Sequence, residues 1–302
     1  MSQVSALTAQ GLGKRYGSSW ALQDCTLEIP PGSVTALVGP NGAGKTTLLQ
    51  LAVGLSEPSA GGVLVFGRLP REEARSVLPR VGFVAQDHPL YKGFTIGETL
   101  KLGRKLNPSW DEEIAVRRIE LLGLPSGKKV GKLSGGQQAQ VALTLALAKQ
   151  PELLLLDEPV ASLDPLARRE FLQSVMEVVA DTGMTVILSS HIVADLERVC
   201  DHLVILSQSR VQLSGSIDDL LASHRLLTGP RTDSAAVARV HDVIRESHTE
   251  RQSSLLVCAR GHVYDSSWEQ NEVDLEEIVL AYLGQRTVRV AEARPIGEAV
   301  RS

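Results

Sequence analysis

The chain has 302 residues, of which 43% are hydrophobic and 22% charged, a composition typical of globular proteins and unlike that of disordered or fibrous chains. Its 31 basic and 35 acidic residues give a net charge of −4, and only 4% of the residues are aromatic. The basic face and the stacking platform of nucleic-acid-binding proteins are therefore not expected. Three widely separated cysteines form no metal-binding pattern and favour a reducing compartment: Cys25, Cys200 and Cys258.

Strands and helices alternate along most of the chain, which predicts an α/β fold with a largely parallel sheet. The apolar run Val34–Val38 predicts a buried strand, and the pattern of Thr47–Leu55 predicts the helix that follows it. Five further runs predict strands: Gly62–Phe66, Val81–Ala85, Leu153–Leu156, Met184–Ser189 and Leu203–Leu206. Five more predict helices: Ile96–Leu106, Glu112–Leu122, Gly135–Ala148, Pro165–Asp181 and Ile192–Cys200.

A helical insertion interrupts this alternation. The stretch Phe94–Lys132 has a helical pattern throughout, and with the helix Gly135–Ala148 it predicts a lobe of residues 94–148. No internal repeat is present.

A domain boundary is predicted near Ala222, so that residues 1–221 form the main domain and residues 222–302 form a small α+β appendage. The turn-rich segment Thr228–Asp233 predicts a linker at the start of this appendage. Beyond it the sequence predicts a helix, a strand, a second helix and a frayed tail: Ala235–Glu246, Ser254–Ala259, Asp274–Leu283 and Gln285–Ser302.

The eight residues after the first predicted parallel strand, Gly-Pro-Asn-Gly-Ala-Gly-Lys-Thr, have the pattern and the strand–helix context of a phosphate-binding loop. The glycines let the backbone curl until its N–H groups point at phosphate oxygens, and the next helix directs its N-terminus at the same anion. The lysine adds a positive charge for the β- and γ-phosphates, and the threonine hydroxyl is a suitable Mg²⁺ ligand. The expected nucleotide-binding residues are Gly39, Pro40, Asn41, Gly42, Ala43, Gly44, Lys45, Thr46 and Thr47.

Two acidic residues end a second apolar strand. Asp157 and Glu158 follow Leu153–Leu156, at the edge of an open α/β sheet where ligands bind. Because neighbouring residues on a strand point to opposite faces, different roles are expected for them. We expect Asp157 to hold Mg²⁺, directly or through water, and Glu158 to act on the attacking water as a general base or orienting group. Taken alone, the pair could equally be an acidic turn after a core strand.

Two glycines stand at the start of an apolar helix, after the N-cap Ser134. Each costs about 1 kcal/mol against alanine there, which makes sense if a phosphate approaches the bare backbone. Ser134, Gly135, Gly136 and Gln137 therefore predict a second anion-binding helix terminus, the alternative being a flexible helix cap. A single nucleotide does not obviously need both termini.

Together these motifs resemble the ATP-binding subunit of ABC transporters over about Val4–Leu221. The phosphate loop resembles Walker A, Leu133–Gln137 the LSGGQ signature, and Leu153–Glu158 Walker B with its catalytic glutamate. The resemblance implies a P-loop NTPase cassette with N-terminal antiparallel strands, and ATP and Mg²⁺ as cofactors.

The same resemblance assigns roles to four further residues. Tyr16 is similar to the aromatic residue that stacks on adenine, and Gln86 to the Q-loop glutamine that reaches Mg²⁺ and water. Asp164 lies in a D-loop-like segment, and His191 is similar to the switch histidine that touches the γ-phosphate.

The resemblance also implies partners and a location. A second ATPase subunit, identical or a paralogue, would pair head to tail, so that Ser134–Gln137 serves the ATP on the partner's Walker A loop. Binding of ATP would close this dimer and hydrolysis would reopen it. No apolar stretch of this chain approaches the roughly 20 residues of a membrane span, and Met1–Gln10 lacks a secretion signal. We therefore expect a cytoplasmic chain that is peripheral on the membrane, contacting a separate integral membrane permease through Gln86–Thr95 and the helical lobe.

Two features bear on the finer function. After the signature, family members often carry basic residues, whereas this chain has Gln138-Ala139-Gln140. This difference puts the rate of hydrolysis and the affinity of the dimer in doubt, but not ATP binding.

The appendage resembles the C-terminal extension of drug- and antibiotic-export ATPases, so an exporter is expected. Its apolar helix positions could instead simply dock on the domain or on its twin: Leu275, Ile278, Val279 and Tyr282.

Two alternatives share part of this pattern. A non-transport ABC ATPase of translation or DNA repair usually has two cassettes in one chain or a long coiled coil, and this chain has one cassette, no sustained heptads and no basic arm. A GTPase or kinase would share the phosphate loop but not the segment Leu133–Gln137 or the context of His191.

Overall fold

The computed structural model describes residues 4–193, 196–231, 234–259 and 267–284. The strands are β1 Leu7–Tyr16, β2 Ser19–Ile29, β3 Val34–Val38, β4 Ala60–Val65, β5 Val81–Val84, β6 Leu153–Leu156, β7 Thr185–Ser190, β8 His202–Ser207, β9 Arg210–Ser216, β10 His224–Pro230, β11 Asp242–His248, β12 Gln252–Cys258 and β13 Glu269–Asn271. The helices are α1 Lys45–Ala52, α2 Ala74–Val77, α3 Ile96–Leu106, α4 Glu112–Leu121, α5 Gly135–Leu147, α6 Pro165–Thr182, α7 Ile217–Ser223, α8 Ser234–Val240 and α9 Leu275–Gly284.

The central sheet has six strands in the order β5-β6-β7-β3-β8-β9. All are parallel except the edge strand β9, which pairs antiparallel with β8. Every residue of β3, β6 and β7 is buried, because the sheet is covered on both faces. Along β6, Leu153 and Leu155 join the cluster with α1 and the N-terminal strands, whereas Leu154 and Leu156 join the cluster with α5 and α6.

A second, antiparallel sheet, β2-β1-β4, lies at the N-terminus. Its apolar residues, such as Leu7 and Leu22, pack with α1 against one face of the central sheet. The predicted α/β fold with a mostly parallel sheet and N-terminal antiparallel strands is confirmed.

The predicted helical insertion contains α3 and α4 and packs on α5 around a core of its own, which includes Ile96, Ile119 and Val141. Each helix begins at a side-chain cap: Thr95 and Glu98 form a capping box on α3, and Asp111 accepts from the N–H of Ile114 on α4. The pattern is not helical throughout, since only a 3₁₀ turn at Val130–Lys132 lies between α4 and Leu133.

The C-terminal region forms an antiparallel sheet of four strands in the order β11-β12-β10-β13. One face of this sheet has a small core with Leu227, Val257 and Trp268. On the other side, Leu256 and helix α9 belong to the same hydrophobic cluster as β3, β6, β7 and β8. The appendage thus shares the main core, and α9 docks within its own chain, as its apolar spacing allowed.

Two predicted elements of the appendage are wrong. The predicted helix Ala235–Glu246 is the short helix α8 followed by β11, because Val243 and Ile244 face opposite sides of the sheet and β11 pairs with β12. The predicted linker Thr228–Asp233 begins with the last three residues of β10, which pair with β12. The tail 285–302 lies outside the described residues.

The helix predicted over Ile192–Cys200 is also wrong. The residues described there form no helix, and those at 196–199 make turns. The Ile192 N–H donates to Ser190 Oγ at 3.0 Å, a local side-chain bond that competes with a helix start. Residues 194 and 195 lie outside the described part. Among the residues that the structure describes, no helix is both long enough and apolar enough to cross a membrane.

Candidate functional site

Many of the predicted site residues meet at the carboxyl ends of the parallel strands. The phosphate loop follows β3, Gln86 follows β5, the two acids follow β6 and His191 follows β7. A cavity of about 390 Å³ opens there. It is lined by Tyr16, Ala21, Asn41, Gly42, Gly44, Lys45, Thr46, Thr47, Gln86 and Glu158. This is the ligand-binding edge of an open α/β sheet.

The phosphate loop needs its glycines for backbone shape and for space. Gly44 has φ +106° and caps α1, and a Cβ there would lie 2.4 Å from the carbonyl oxygen of Ala21. At Gly39 a Cβ would lie 2.2 Å from the carbonyl oxygen of Leu206. The loop is closed by a bond of 3.1 Å from the Ala43 N–H to the Pro40 carbonyl. Larger residues at Gly39 or Gly44 would push the loop away from the sheet.

Lys45 and Glu158 form a buried ion pair at the mouth of the loop. The Lys45 ammonium lies 2.9 Å from Glu158 Oε1 and 2.7 Å from the Gly39 carbonyl oxygen. His191 Nδ1 lies 2.7 Å from Glu158 Oε2; because a carboxylate oxygen only accepts, this nitrogen donates. Glu158 has φ +45°, a left-handed conformation that is uncommon for a residue with a side chain and frequent at functional sites.

Asp157 connects α1 with the end of β7. Its Oδ1 accepts from the Thr46 hydroxyl at 3.1 Å and from the Ser189 hydroxyl at 2.9 Å. Burial raises the pKa of the Asp157 carboxyl, and these two hydrogen bonds oppose that rise. Ser189 also accepts from the Glu158 N–H at 2.8 Å, so one hydroxyl positions both acids.

The oxygens at this point fit a magnesium ion that is shared with phosphate. Mg²⁺ prefers hard oxygen ligands and is usually held by one or two protein groups together with phosphates and water. Thr46 and Asp157 place two such oxygens 3.1 Å apart, and both residues line a groove with Gln86. In the described part of the chain, no three His, Cys, Asp or Glu side chains cluster as a metal site, which such a shared ion does not need.

Tyr16 stands at the outer end of the cavity, with its side chain half exposed. Lys14 Nζ lies 5.1 Å from the centre of its ring, which makes a cation–π contact on one face.

The second predicted anion site lies apart from the first. Ser134, Gly136, Gln137 and Asp164 line a cavity of about 290 Å³ to which no residue of the phosphate loop contributes. Ser134 and Gln137 form a capping box on α5, and Asp164 caps α6 by accepting from two backbone N–H groups. Gly136 also has a packing reason, since a Cβ there would lie 3.0 Å from the Cβ of Ala167 on α6.

Gly135 differs from its neighbours because it faces a third, smaller cavity together with Gln86 and Glu158. The structure thus gives the phosphate loop and the Ser134 side separate cavities, while Gly135 shares the smaller cavity with Gln86 and Glu158.

Ser189 is the residue that sequence reasoning missed. The sequence marks it only as a small polar residue near the end of a buried strand. Its importance comes from the pairing of that strand, β7, with β6, which leads to both acids. Nothing in its local sequence distinguishes it from Ser190, whose hydroxyl bonds to the N–H of Ile192 instead.

A family model described as ABC transporter matches residues 22–161, which include the phosphate loop, the lobe and both acids. A solved structure of the ATP-binding subunit of an ABC transporter superposes with a TM-score of 0.65 and 29% identity, covering 72% of this chain and 92% of that one. This chain thus has the ABC ATPase cassette fold, and the family match lies within residues 22–161. A further model, described as an AAA domain of a putative AbiEii toxin, matches residues 129–194 of the cassette.

Two named relatives have similar cassettes. The sulfate/thiosulfate import ATP-binding protein CysA of Synechococcus elongatus is 36% identical over 211 residues, which are 68% of this chain and 61% of the relative. The Fe(3+) ions import ATP-binding protein FbpC 2 of Rhodococcus jostii is 37% identical over 216 residues, 70% of this chain and 62% of the relative. The match to this chain therefore spans about three fifths of their length.

The cassette is also similar to that of a bacterial Atm1-family ABC exporter solved with ATP bound. The identity is 28% and the TM-score 0.63, with 74% of this chain and 40% of that one covered. Cassettes of two importers and of one exporter are thus similar to this chain, with a higher sequence identity for the importers.

Proposed function

We propose that this chain is the ATP-hydrolysing subunit of an ABC transporter and acts by ATP-driven closure and reopening of a dimer. The observation that carries the proposal is the separation of two half-sites: the phosphate loop with Lys45 and Glu158 lines one cavity, and the signature Ser134–Gln137 contributes to another. The signature half-site has no phosphate loop of its own. A second subunit, identical or a paralogue, would supply that loop most simply if the two subunits were placed head to tail.

Each residue would then have a defined task at a shared nucleotide. The loop N–H groups and Lys45 bind phosphate oxygens, and Tyr16 stacks on the base. Thr46, Asp157 and Gln86 hold Mg²⁺, which neutralises charge on the phosphates when it is bound. Glu158 orients the attacking water and takes its proton, and His191 holds Glu158 from the opposite side.

The signature would act on the partner's nucleotide. Gly135 and Gly136 expose the N-terminus of α5, whose N–H groups favour an anion. Asp164 fixes the start of α6, against which Gly136 packs, so it places the signature indirectly.

The remaining partner is a separate membrane permease. The groove of about 480 Å³ between β5 and the lobe has an apolar lining that includes Phe83, Leu90 and Leu145, and Tyr91 and Phe94 are exposed beyond it. An exposed apolar surface of this kind is expected where another protein docks. The chain would thus work at the cytoplasmic face of a membrane, and no nucleic acid is expected.

We propose export as the direction of transport, on the resemblance of the C-terminal region to the extension of export ATPases. The named relatives are importers of sulfate or thiosulfate and of Fe(3+), and their names do not support this choice. Their matches span only 68% and 70% of this chain, however, and similar cassettes serve both directions. Drugs, antibiotics or other small molecules are the proposed cargo.

Recovery of the tagged chain from its own cells tests this function. We expect an integral membrane protein to co-purify in detergent, with ATPase activity that rises when that protein is present. Loading of inside-out vesicles would then show export, whereas loading of right-side-out vesicles would show import. Recovery with ribosomes or DNA instead would contradict a transporter and favour the non-transport ABC ATPases.

A further inference from the structure

A polar cavity of about 390 Å³ lies between α4, α5 and α6, outside the nucleotide cavity. It adjoins the signature cavity, since Leu122, Gln140 and Glu170 line both. Helix α4 belongs to the lobe, α5 carries the signature at its start, and α6 belongs to the core. The cavity is therefore placed where lobe, signature and core meet.

Two buried polar atoms in this cavity have no partner among the residues that the structure describes. Gln140 is 7% exposed, and its Oε1 accepts no hydrogen bond, although its Nε2 lies 3.5 Å from Ser174 Oγ on α6. Arg118 Nε on α4 is likewise buried and unpaired. Burial lowers the pKa of Arg118, and the nearby carboxylate of Glu177 opposes that shift. Buried polar groups are almost always hydrogen-bonded, so two such atoms in one cavity need an explanation.

The two atoms are complementary. Arg118 Nε–H can only donate and Gln140 Oε1 can only accept. The orientation of the Gln140 amide agrees with this pairing. If the amide were reversed, its NH₂ group would take the place of Oε1, and two donors would face each other. The two atoms are not bonded to each other in this structure. Because both residues line the cavity, a turn of either side chain into it would let the atoms meet, directly or through one water.

We propose that Arg118 and Gln140 form a hydrogen-bonded latch, direct or through one water, that joins the lobe to the signature helix. Gln140 would accept from Arg118 on α4 and donate to Ser174 on α6, so the three helices keep one arrangement. Both are positioning residues: they fix the direction in which the N-terminus of α5 points. The inference rests on the proposed function, because that direction matters only if the signature serves a second subunit's nucleotide.

The latch also explains the run Gln138-Ala139-Gln140, where family members often carry basic residues. The positive charge near α5 comes here from another helix, through Arg118, and Gln140 is its acceptor. The acidic side chains of Glu170 and Glu177 line the same cavity, and Glu177 is near enough to act on the charge of Arg118.

A double-mutant cycle on the full chain tests the latch. Arg118→Met and Gln140→Met remove the polar groups and keep side chains of similar length, and Arg117→Met removes an exposed charge from the same helix as a control. Each latch variant should lower kcat roughly tenfold with little change in the KM for ATP, and the double variant should be no slower than either one. Gln140→Glu keeps the acceptor and should retain kcat within about twofold, provided that Arg118 is present.

The melting temperatures of the same variants give a readout that does not depend on ATP. If the latch exists, the losses of melting temperature in the two single variants must also be non-additive. A chain that hydrolyses no ATP would contradict the proposed function, but the melting temperatures would still test the latch. The proposal is overturned if the effects of Arg118→Met and Gln140→Met multiply, if Arg118→Met equals Arg117→Met, or if Gln140→Glu is as slow as Gln140→Met.

Discussion

Glu158 is bound on both carboxylate oxygens, by Lys45 on one side and by His191 on the other. A phosphate that binds the loop needs the Lys45 ammonium, so phosphate and the Glu158 carboxylate compete for it. The pair is almost fully buried, and an opposite charge interacts strongly there. In the proposed function, this contact would link nucleotide binding to the release of the Glu158 carboxylate, which would then be free to act on water.

Glu158→Gln separates these two roles. The neutral amide holds Lys45 less tightly, so ATP should bind several-fold more tightly, while the loss of the base should slow hydrolysis roughly 10²- to 10⁴-fold. Fluorescent-nucleotide titration and phosphate release measure the two effects on one sample. Glu197→Gln, which changes an exposed glutamate that comes after the neighbouring strand β7, is the control. Turnover at the parent rate would show that Glu158 is not the base.

Sequence reasoning found the residues whose motifs are local and missed those positioned from elsewhere. Lys45, Asp157 and Glu158 stand in short patterns between a strand and a helix, where the chemistry needs those residue types. Ser189 acts only because β7 pairs with β6, which no short pattern shows. The partnership of Glu158 with Lys45 likewise depends on tertiary packing.

The helices α3, α4, α5 and α6 are well predicted, because residues that cap helices mark where they begin. Thr95, Asp111, Ser134 and Asp164 cap these four with side-chain oxygens, and Gly183 ends α6 with φ +65°. The predicted helix Ala235–Glu246 had no such end, and β-strand pairing with β12 decided its second half. Pairing of this kind depends on the partner strand and not on local preference.

Helix α9 makes the C-terminal region part of the cassette core, and its removal should be costly. Ile278 is fully buried in the same cluster as the central strands, whereas Leu280 is 53% exposed. Ile278→Ala should lower the free energy of unfolding by about 2–5 kcal/mol, and the control Leu280→Ala by less than about 0.5 kcal/mol. Urea unfolding should show one transition for both. A second transition, or equal losses, would mean that the appendage unfolds separately.

At the scale of the whole molecule, the proposed head-to-tail dimer would give both of the predicted anion-binding helix termini a role at the same nucleotide. Helix α1 follows the phosphate loop and helix α5 follows Ser134, and their cavities do not share a residue. The residues alone predicted both termini, and only the family resemblance implied their separation, which depends on how the lobe is placed on the sheet. A composite site between two chains is the central claim.

Mixing two inactive variants tests this claim most directly. Lys45→Ala has a defective loop and an intact signature, and Ser134→Arg has the reverse, so each alone should have lost nearly all ATPase activity. In an equal mixture, half of the dimers are mixed and have one intact site of two, which predicts about a quarter of the wild-type rate. A mixture as inactive as its components, or a Ser134→Arg chain that hydrolyses ATP normally by itself, would contradict the shared site.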